Sequence, residues 1–366
     1  MVILTYKRQM NENRIQYIDG MRGIAILSVV FYHAYSRWGT KEPFDQTDIL
    51  VNLFSYGWLG VHLFFSISGY VIYKSIQRSD NFFMFASARY LRLAPSMFVA
   101  AILIYISSFI IPERPLGKAN IADFLPSLTF VGPGLISKIT GLDVKSLDGA
   151  FWSLYVEVKF YFVIAIVFFV FKDKRLNILL FLYLGWIVCT MFIYFQIENN
   201  LIETIHKILS YLGVNYYGWF LLGIYTYRFQ SESSITKIII WGLISTLAAF
   251  TTDFGNVGTT LASSMVALFF LLAFVWAKLR VILSSKFFLF FGFISYPLYL
   301  LHQNIVTGLS IKLFNYIEEL PTYIYPIPFL IIVMILSYLI AKLEPVLKNE
   351  LKKLLPKNAL GFNLKR

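Results

Sequence analysis

Hydrophobic residues are grouped along the chain in long, nearly continuous segments that are separated by short polar stretches. Ten such segments can be delimited, at residues 20–37, 53–73, 93–111, 152–171, 177–195, 213–230, 237–252, 259–277, 287–308 and 325–342. Segments of about twenty apolar residues cross a bilayer as α-helices, because lipid offers the backbone no other hydrogen-bond partners. The pattern therefore predicts an all-α fold, a polytopic membrane bundle of about ten transmembrane helices.

The composition supports this prediction. Hydrophobic residues make up 58% of the 366 residues and charged residues only 14%, which leaves too few polar side chains to cover a water-soluble globule of this size. The chain has one cysteine, Cys189, which excludes an internal disulfide and a thiolate metal cluster. No His, Asp or Glu pair with metal-ligand spacing occurs within the predicted spans, so no metal is expected.

The net charge of +12 would suggest nucleic-acid binding in a soluble protein. If the N-terminus is cytoplasmic, however, 23 of the 32 Lys and Arg residues lie on the cytoplasmic side, eight lie on the other side, and Lys159 lies within a span. This asymmetry predicts that both termini are cytoplasmic and that no nucleic acid is bound. Residues 1–345 would form a single transmembrane domain, and residues 346–366 a basic cytoplasmic tail, either solvated or in contact with membrane lipid.

Ionisable side chains within spans are costly in lipid, and each is therefore a functional hypothesis. Arg22 and His33 are eleven residues apart, which places them on one face of the first helix, roughly 16 Å apart along its axis. Glu157 in the fourth span and His302 in the ninth are expected at a depth similar to that of His33. The three groups predict a shared site in which a neutral His33 acts as general base, although an interhelical hydrogen bond would explain His302 equally well.

Two shorter patterns add candidates for binding. Ser153, Glu157 and Tyr161 recur at intervals of four residues and so share one face of the fourth helix. Arg89 and Arg92 stand at the predicted cytoplasmic end of the third span. Anchoring by the positive-inside rule explains this pair, and so does an anion site, because guanidinium groups bind phosphate through forked hydrogen bonds.

Five motifs, in order along nearly the whole chain, resemble those of the acyltransferase-3 family of membrane O-acyltransferases. They are residues 14–25 (RIQYIDGMRGIA) followed by 31–33 (FYH), residues 57–70 (GWLGVHLFFSISGY), residues 89–95 (RYLRLAP), residues 152–157 (WSLYVE), and residues 294–302 (ISYPLYLLH). The spacing between the arginine and the histidine of the first motif is the most specific of these features.

The resemblance implies transfer of an acyl group, usually acetyl, from cytoplasmic acyl-CoA to a sugar hydroxyl at or across the membrane. Acyl-CoA would be a co-substrate, with no tightly bound cofactor, and its phosphates would be held by Arg22, Arg89 and Arg92. The predicted catalytic residues are His33 and Glu157, with Glu157 orienting or charging the imidazole. The predicted substrate-binding residues are Trp152, Ser153, Tyr161 and His302.

The expected acceptor is a bacterial cell-surface polysaccharide, such as an O-antigen or exopolysaccharide, or a lipid-linked glycan, and the expected location is the inner membrane. Because the chain ends shortly after its tenth span, it resembles stand-alone family members without an appended extracytoplasmic esterase-like domain. Whether it acts together with a separate extracytoplasmic partner protein stays open. Direct transfer and transfer through an acyl-histidine are both open. The alternatives are a polytopic secondary transporter, which would have paired broken helices, another type of membrane O-acyltransferase built around His302, and a non-polysaccharide acceptor.

Overall fold

The computed structural model describes residues 15–38, 49–171, 176–229 and 235–354, and within these ranges the regular secondary structure is helical. The predicted all-α fold is confirmed for this part of the chain. The α-helices are α1 (Gln16–Phe31), α2 (Ile49–Leu53), α3 (Gly60–Ile76), α4 (Phe82–Ile110), α5 (Phe124–Thr129), α6 (Pro133–Thr140), α7 (Trp152–Phe171), α8 (Asn177–Tyr194), α9 (Asn200–Tyr211), α10 (Tyr217–Arg228), α11 (Ile235–Thr252), α12 (Val257–Val275), α13 (Ala277–Leu283), α14 (Lys286–Tyr316) and α15 (Pro326–Leu354).

Each of the ten predicted segments overlaps one of these helices. In the described ranges, six helical stretches are long and apolar enough to cross a membrane, and the bent pair of α13 and α14 would be a seventh. Helices α1 and α10 are shorter, with 16 and 12 residues. The chain is thus an integral membrane protein, while the count of ten spans and the side of each terminus stay predictions.

The centre of the bundle is formed by α1, which packs between α3 and α14, while α3 packs in turn against α10. Two glycines set the distance between α3 and α10. A Cβ atom at Gly69 would overlap the carbonyl oxygen of Phe220, and one at Gly223 would overlap that of Ser66. Because small residues let helix backbones touch in a membrane, α3 and α10 lie in direct backbone contact.

Two irregularities bear on the functional residues. Helix α1 continues from Tyr32 to Ser36 as a π-helical turn that contains His33, and such turns often occur at functional sites. Helices α13 and α14 meet at an angle of 63°, whereas α14 runs unbroken through Pro297. The described helices contain this one bent pair, so the paired interruptions expected of a transporter are not seen in that part of the chain.

The segment between α4 and α7 is tied to α14 by buried polar groups. Arg114 is 4% exposed and donates hydrogen bonds to the carbonyl oxygens of Ile104 and Leu147, at 2.9 and 2.8 Å. Asp148 is fully buried and accepts from the backbone N–H groups of Ala150 and Asn304. Burial, opposed by these hydrogen bonds and by the charge of Arg114, raises the pKa of the Asp148 carboxyl to about 6.

The last helix, α15, continues through the predicted domain boundary at residue 345 and ends at Leu354. Residues 355–366 of the predicted tail lie outside the described residues, and so does Arg14 of the first motif.

Candidate active site

The π-helical turn after α1 brings His33 against His302 of α14. The Nδ1 atom of His33 lies 3.1 Å from the Nε2 atom of His302, and the two ring centroids are 4.8 Å apart. His302 is 1% exposed, whereas His33 is only partly buried. The two histidines that the sequence placed at a similar depth are therefore direct partners.

The hydrogen bonds of this pair define the protonation of each ring. The Nδ1 atom of His302 lies 2.8 Å from the carbonyl oxygen of Tyr299, and the Nδ1 atom of His33 lies 2.9 Å from that of Val29. A carbonyl oxygen only accepts, so both Nδ1 atoms carry the proton in the neutral rings. His302 Nε2 then accepts from His33 Nδ1–H, and the unprotonated Nε2 of His33 is free to take a proton.

A cavity of about 90 Å³ lies between α1, α3, α4, α7 and α14. The three arginines that were predicted to bind the acyl donor all line it, and so do Ser153, Glu157 and Tyr161 on one face of α7, as their spacing predicts. Its other polar lining residues are Ser68, Ser295, Tyr296 and Tyr299. A single cavity thus collects most of the predicted site.

The arginines differ in their partners. Arg22 forms an ion pair with Asp19, at 3.0 Å, and Arg92 approaches Glu344 of α15, at 3.9 Å. Arg89 donates a hydrogen bond to the hydroxyl of Ser75, at 3.0 Å, and its buried Nε has no hydrogen-bond partner. Arg89 in particular retains an unused donor for an anionic ligand.

Glu157 belongs to a hydrogen-bond network of the cavity wall. One oxygen of its carboxylate accepts from the hydroxyls of Ser68 and Tyr161, each at 2.6 Å. Glu157 forms none of the described hydrogen bonds of the His33 ring, which go to Val29 and His302. A catalytic role for Glu157 stays a prediction, and its carboxylate would exert that role within the cavity.

Tyr299 connects the cavity with the histidine pair. Its ring lines the cavity and lies 5.5 Å from the ring of His302. Its hydroxyl group contacts that of Ser153 at 2.7 Å and donates to the carbonyl oxygen of Ala150. The cavity therefore ends one side chain away from His302, which in turn contacts His33.

Two predicted substrate-binding residues, Trp152 and His302, do not line this cavity. Trp152 is 39% exposed and is not among the cavity-lining residues; its ring lies 5.3 Å from that of Tyr216. His302 is enclosed, and both of its ring nitrogens have partners within the protein. It thus has no nitrogen left for a substrate, and the geometry favours an orienting role toward His33 instead.

Three residues of the site were not predicted from the sequence: Ser68, Tyr296 and Tyr299. Ser68 lies in the glycine-rich second motif, and the two tyrosines lie in the motif that ends at His302. Their position within these motifs was the feature of the sequence that could have identified them as site residues. Their contacts with Glu157, Leu93 and Ser153 depend on helix packing.

Comparisons with known proteins identify the family. An acyltransferase-domain model, that of the acyltransferase-3 family, matches residues 15–342. An O-acetyl transferase of Shigella phage Sf6 is 39% identical over 87 residues, which cover 24% of this chain and 25% of that protein. The O-acetyltransferase OatA of Staphylococcus aureus (strain NCTC 8325 / PS 47) is 27% identical over 353 residues, covering 86% of this chain and 54% of that protein.

The peptidoglycan O-acetyltransferase OatA of Listeria monocytogenes is 27% identical over 158 residues, covering 40% of this chain and 23% of that protein. The chain thus spans about half the length of the Staphylococcus relative and matches smaller parts of the other two. No solved structure matches it. Because the family model covers nearly all of the helices described above, the chain is an integral membrane protein that belongs to the acyltransferase-3 family.

Proposed function

We propose that this protein is a membrane O-acetyltransferase, which transfers acetyl from acetyl-CoA to a sugar hydroxyl of a cell-surface polysaccharide. The observation that carries the proposal is the convergence of Arg22, Arg89 and Arg92 on one cavity, which Tyr299 separates from the histidine pair. An anionic donor with a long thin arm fits a basic entrance followed by a narrow cavity. The relatives named O-acetyltransferase support the choice of acetyl.

In this proposal the end of the bundle at which α1 begins faces the cytoplasm, and both termini lie there. The excess of Lys and Arg on that side supports the orientation. Acetyl-CoA would enter from this side, with its phosphates held by charge-assisted hydrogen bonds to the three arginines. The acceptor would approach from the other side of the inner membrane, where His33 is only partly buried.

The proposed chemistry uses the free nitrogen of His33. Its Nε2 takes the proton of the sugar hydroxyl while the hydroxyl oxygen attacks the carbonyl carbon of the thioester. The carbon–sulfur bond then breaks, and the imidazolium returns the proton to the departing CoA thiolate. The products are the acetyl ester and free CoA. His302 and Val29 hold the ring of His33 in the tautomer that leaves Nε2 unprotonated.

The alternative route passes through an acetyl-histidine, in which Nε2 itself attacks the thioester and the sugar hydroxyl displaces the imidazole. Initial rates separate the two routes. A ping-pong pattern with the two substrates supports the acetyl-histidine, whereas a ternary-complex pattern supports direct transfer.

The acceptor class rests on the names of the relatives. One is named a peptidoglycan O-acetyltransferase, and O-antigen or exopolysaccharide repeats present equivalent sugar hydroxyls. We propose a surface polysaccharide or its lipid-linked precursor as the acceptor, with a separate extracytoplasmic protein as an optional carrier of the acetyl group.

The test uses inverted inner-membrane vesicles and acetyl-CoA that is labelled in the acetyl group. We expect label to reach membrane glycan in the wild type, and the rate to fall by about 10²–10⁴-fold in His33→Ala, because that is the usual contribution of a general base. His206→Ala is the matched control, since His206 lies on α9, away from both histidines of the pair. Full transfer by the His33 variant would overturn the assignment.

A further inference from the structure

We propose that Lys74 and Arg78 form a binding site for the 3′-phosphate of the acyl-CoA nucleotide, so that the protein selects free acyl-CoA over donors without this phosphate. The inference rests on the proposed function and adds a subsite to it. It concerns a second, larger cavity of about 410 Å³ beside the one that Glu157 lines.

The two cavities adjoin each other. They share three lining residues, Arg22, Val71 and Arg89, and the outer one is bounded by the end of α3, the start of α4 and the start of α1. The inner cavity, at about 90 Å³, is the smaller and more enclosed of the two. A wide chamber that leads into a narrow one matches a molecule with a bulky head and a thin arm.

The outer cavity carries an excess of positive charge. Its basic lining residues are Arg22, Lys74, Arg78 and Arg89, and Asp19 is the one acidic residue among the lining residues that the structure describes. Asp19 pairs with Arg22. Neither Lys74 nor Arg78 forms an ion pair with any described residue. Because neighbouring like charges repel, a bound anion of several charges would stabilise this arrangement.

The local sequence explains how these side chains come together. Lys74 lies in the last turn of α3, and Arg78 follows four residues later, just after the helix ends at Ile76. Asn81 then caps α4 by accepting from the backbone N–H of Met84, and this short connection turns the chain so that Arg89 faces Ser75 of α3. The tight turn between α3 and α4 thus forms a basic wall with the hydroxyls of Ser75 and Ser79.

The positions of the basic residues assign them to different phosphates. Arg22 and Arg89 line both cavities and stand at their junction, where the diphosphate of the donor joins its pantetheine arm. Lys74 and Arg78 line only the outer cavity, which leaves them for the remaining phosphate, on the 3′-oxygen of the ribose. A free phosphate has no thin arm that would use the inner cavity.

The experiment compares acetyl-CoA with acetyl-3′-dephospho-CoA as donors for the wild type and for the double variant Lys74→Gln/Arg78→Gln in inverted vesicles. We expect the wild type to show a KM for the dephospho donor that is about 100-fold higher, since each charge-assisted contact contributes about ten-fold. In the double variant the ratio of the two KM values falls to near one. Lys278→Gln is the matched control, because Lys278 is exposed and lines neither cavity.

A binding measurement keeps the subsite testable apart from catalysis. The purified protein in nanodiscs is titrated with adenosine 3′,5′-bisphosphate and with 5′-AMP. We expect the bisphosphate to bind more than ten-fold tighter to the wild type and about equally to the double variant. If no donor supports transfer but this preference holds, the proposed function fails while the phosphate subsite stands.

Three outcomes would overturn the subsite. The first is a KM ratio that is the same in the wild type and the double variant, and the second is equal binding of the two nucleotides to the wild type. The third is a loss in the double variant that depends on phosphatidylglycerol in the vesicles and not on the 3′-phosphate, which would assign the basic wall to a lipid headgroup.

Discussion

Replacing His302 with alanine removes the acceptor that His33 Nδ1–H reaches at 3.1 Å. The loss should be moderate, because the carbonyl oxygen of Val29 still holds the same proton, at 2.9 Å. The tautomer of His33 therefore survives, and only the aim of its ring is loosened. A neutral hydrogen bond contributes about 1 kcal/mol, which corresponds to about a five-fold change in rate. With some displacement of the ring into the vacated space, we expect kcat to fall about ten-fold.

The two amide replacements distinguish orientation from packing. In His302→Gln, the side-chain oxygen can occupy the place of Nε2 and accept from His33, so we expect most of kcat to return. In His302→Asn, the side-chain atoms reach only the position of Nδ1, next to the carbonyl of Tyr299, and kcat should stay low. The KM for acetyl-CoA should change little in any of the three variants, because His302 does not line the cavity that holds the donor.

The assay is acetyl transfer from labelled acetyl-CoA in inverted vesicles, with rates normalised to the amount of folded protein. Two results would contradict an orienting role for His302. If His302→Ala loses as much activity as His33→Ala, then His302 exchanges protons itself. If all three variants keep the wild-type kcat, then the contact between the histidines has no part in the reaction.

Two further predictions concern stability, measured as apparent melting temperature in detergent. Gly69→Ala should clearly lower the melting temperature, because the added Cβ overlaps the carbonyl oxygen of Phe220. Gly185→Ala on α8 is the control, since a Cβ there meets no atom within 4 Å. Equal melting temperatures of the two variants would contradict the close contact of α3 and α10. The carboxyl of Asp148 holds its proton more tightly in the folded chain, because its pKa is raised from 3.8 to about 6. Its contribution to the stability of the folded chain is therefore full below about pH 4 and is lost as the pH rises through about 6. This contribution to the free energy of unfolding is at most about 3 kcal/mol. Asp148→Asn should lack this part of the pH dependence of the melting temperature. An identical pH profile in the variant would exclude Asp148 as the source of that dependence.

Features that repeat along one helix were predictable from the sequence. The intervals between Ser153, Glu157 and Tyr161 placed these side chains on one face of α7, and all three line the same cavity. Apolar segment length also located the helices, because lipid requires the backbone to bond internally. The arginine at position 22 was recognised by a local motif, and it too lies in the cavity.

Contacts between side chains of different helices were not predictable in this way. Glu157 and His302 were both assigned to the neighbourhood of His33 by depth alone, yet only His302 bonds to it, across 269 residues of sequence. Depth along a helix follows from counting residues, but the direction in which a side chain points depends on how the helix is rotated against its neighbours. Ser68, the partner of Glu157 on α3, could not be found from the sequence for this reason.

The amino-acid sequence is enough to establish that this protein is helical, lies in the membrane and carries the arginine and histidine motifs of its family. These properties follow from local composition and from spacing within single helices. Helix packing, in contrast, places Tyr299 between the cavity and His302, and it brings the basic turn between α3 and α4 next to that cavity. The physical reason is that the packing of backbones at residues such as Gly69 and Gly223 sets the rotation of each helix, and a chemical site forms only from side chains that this rotation turns toward one another.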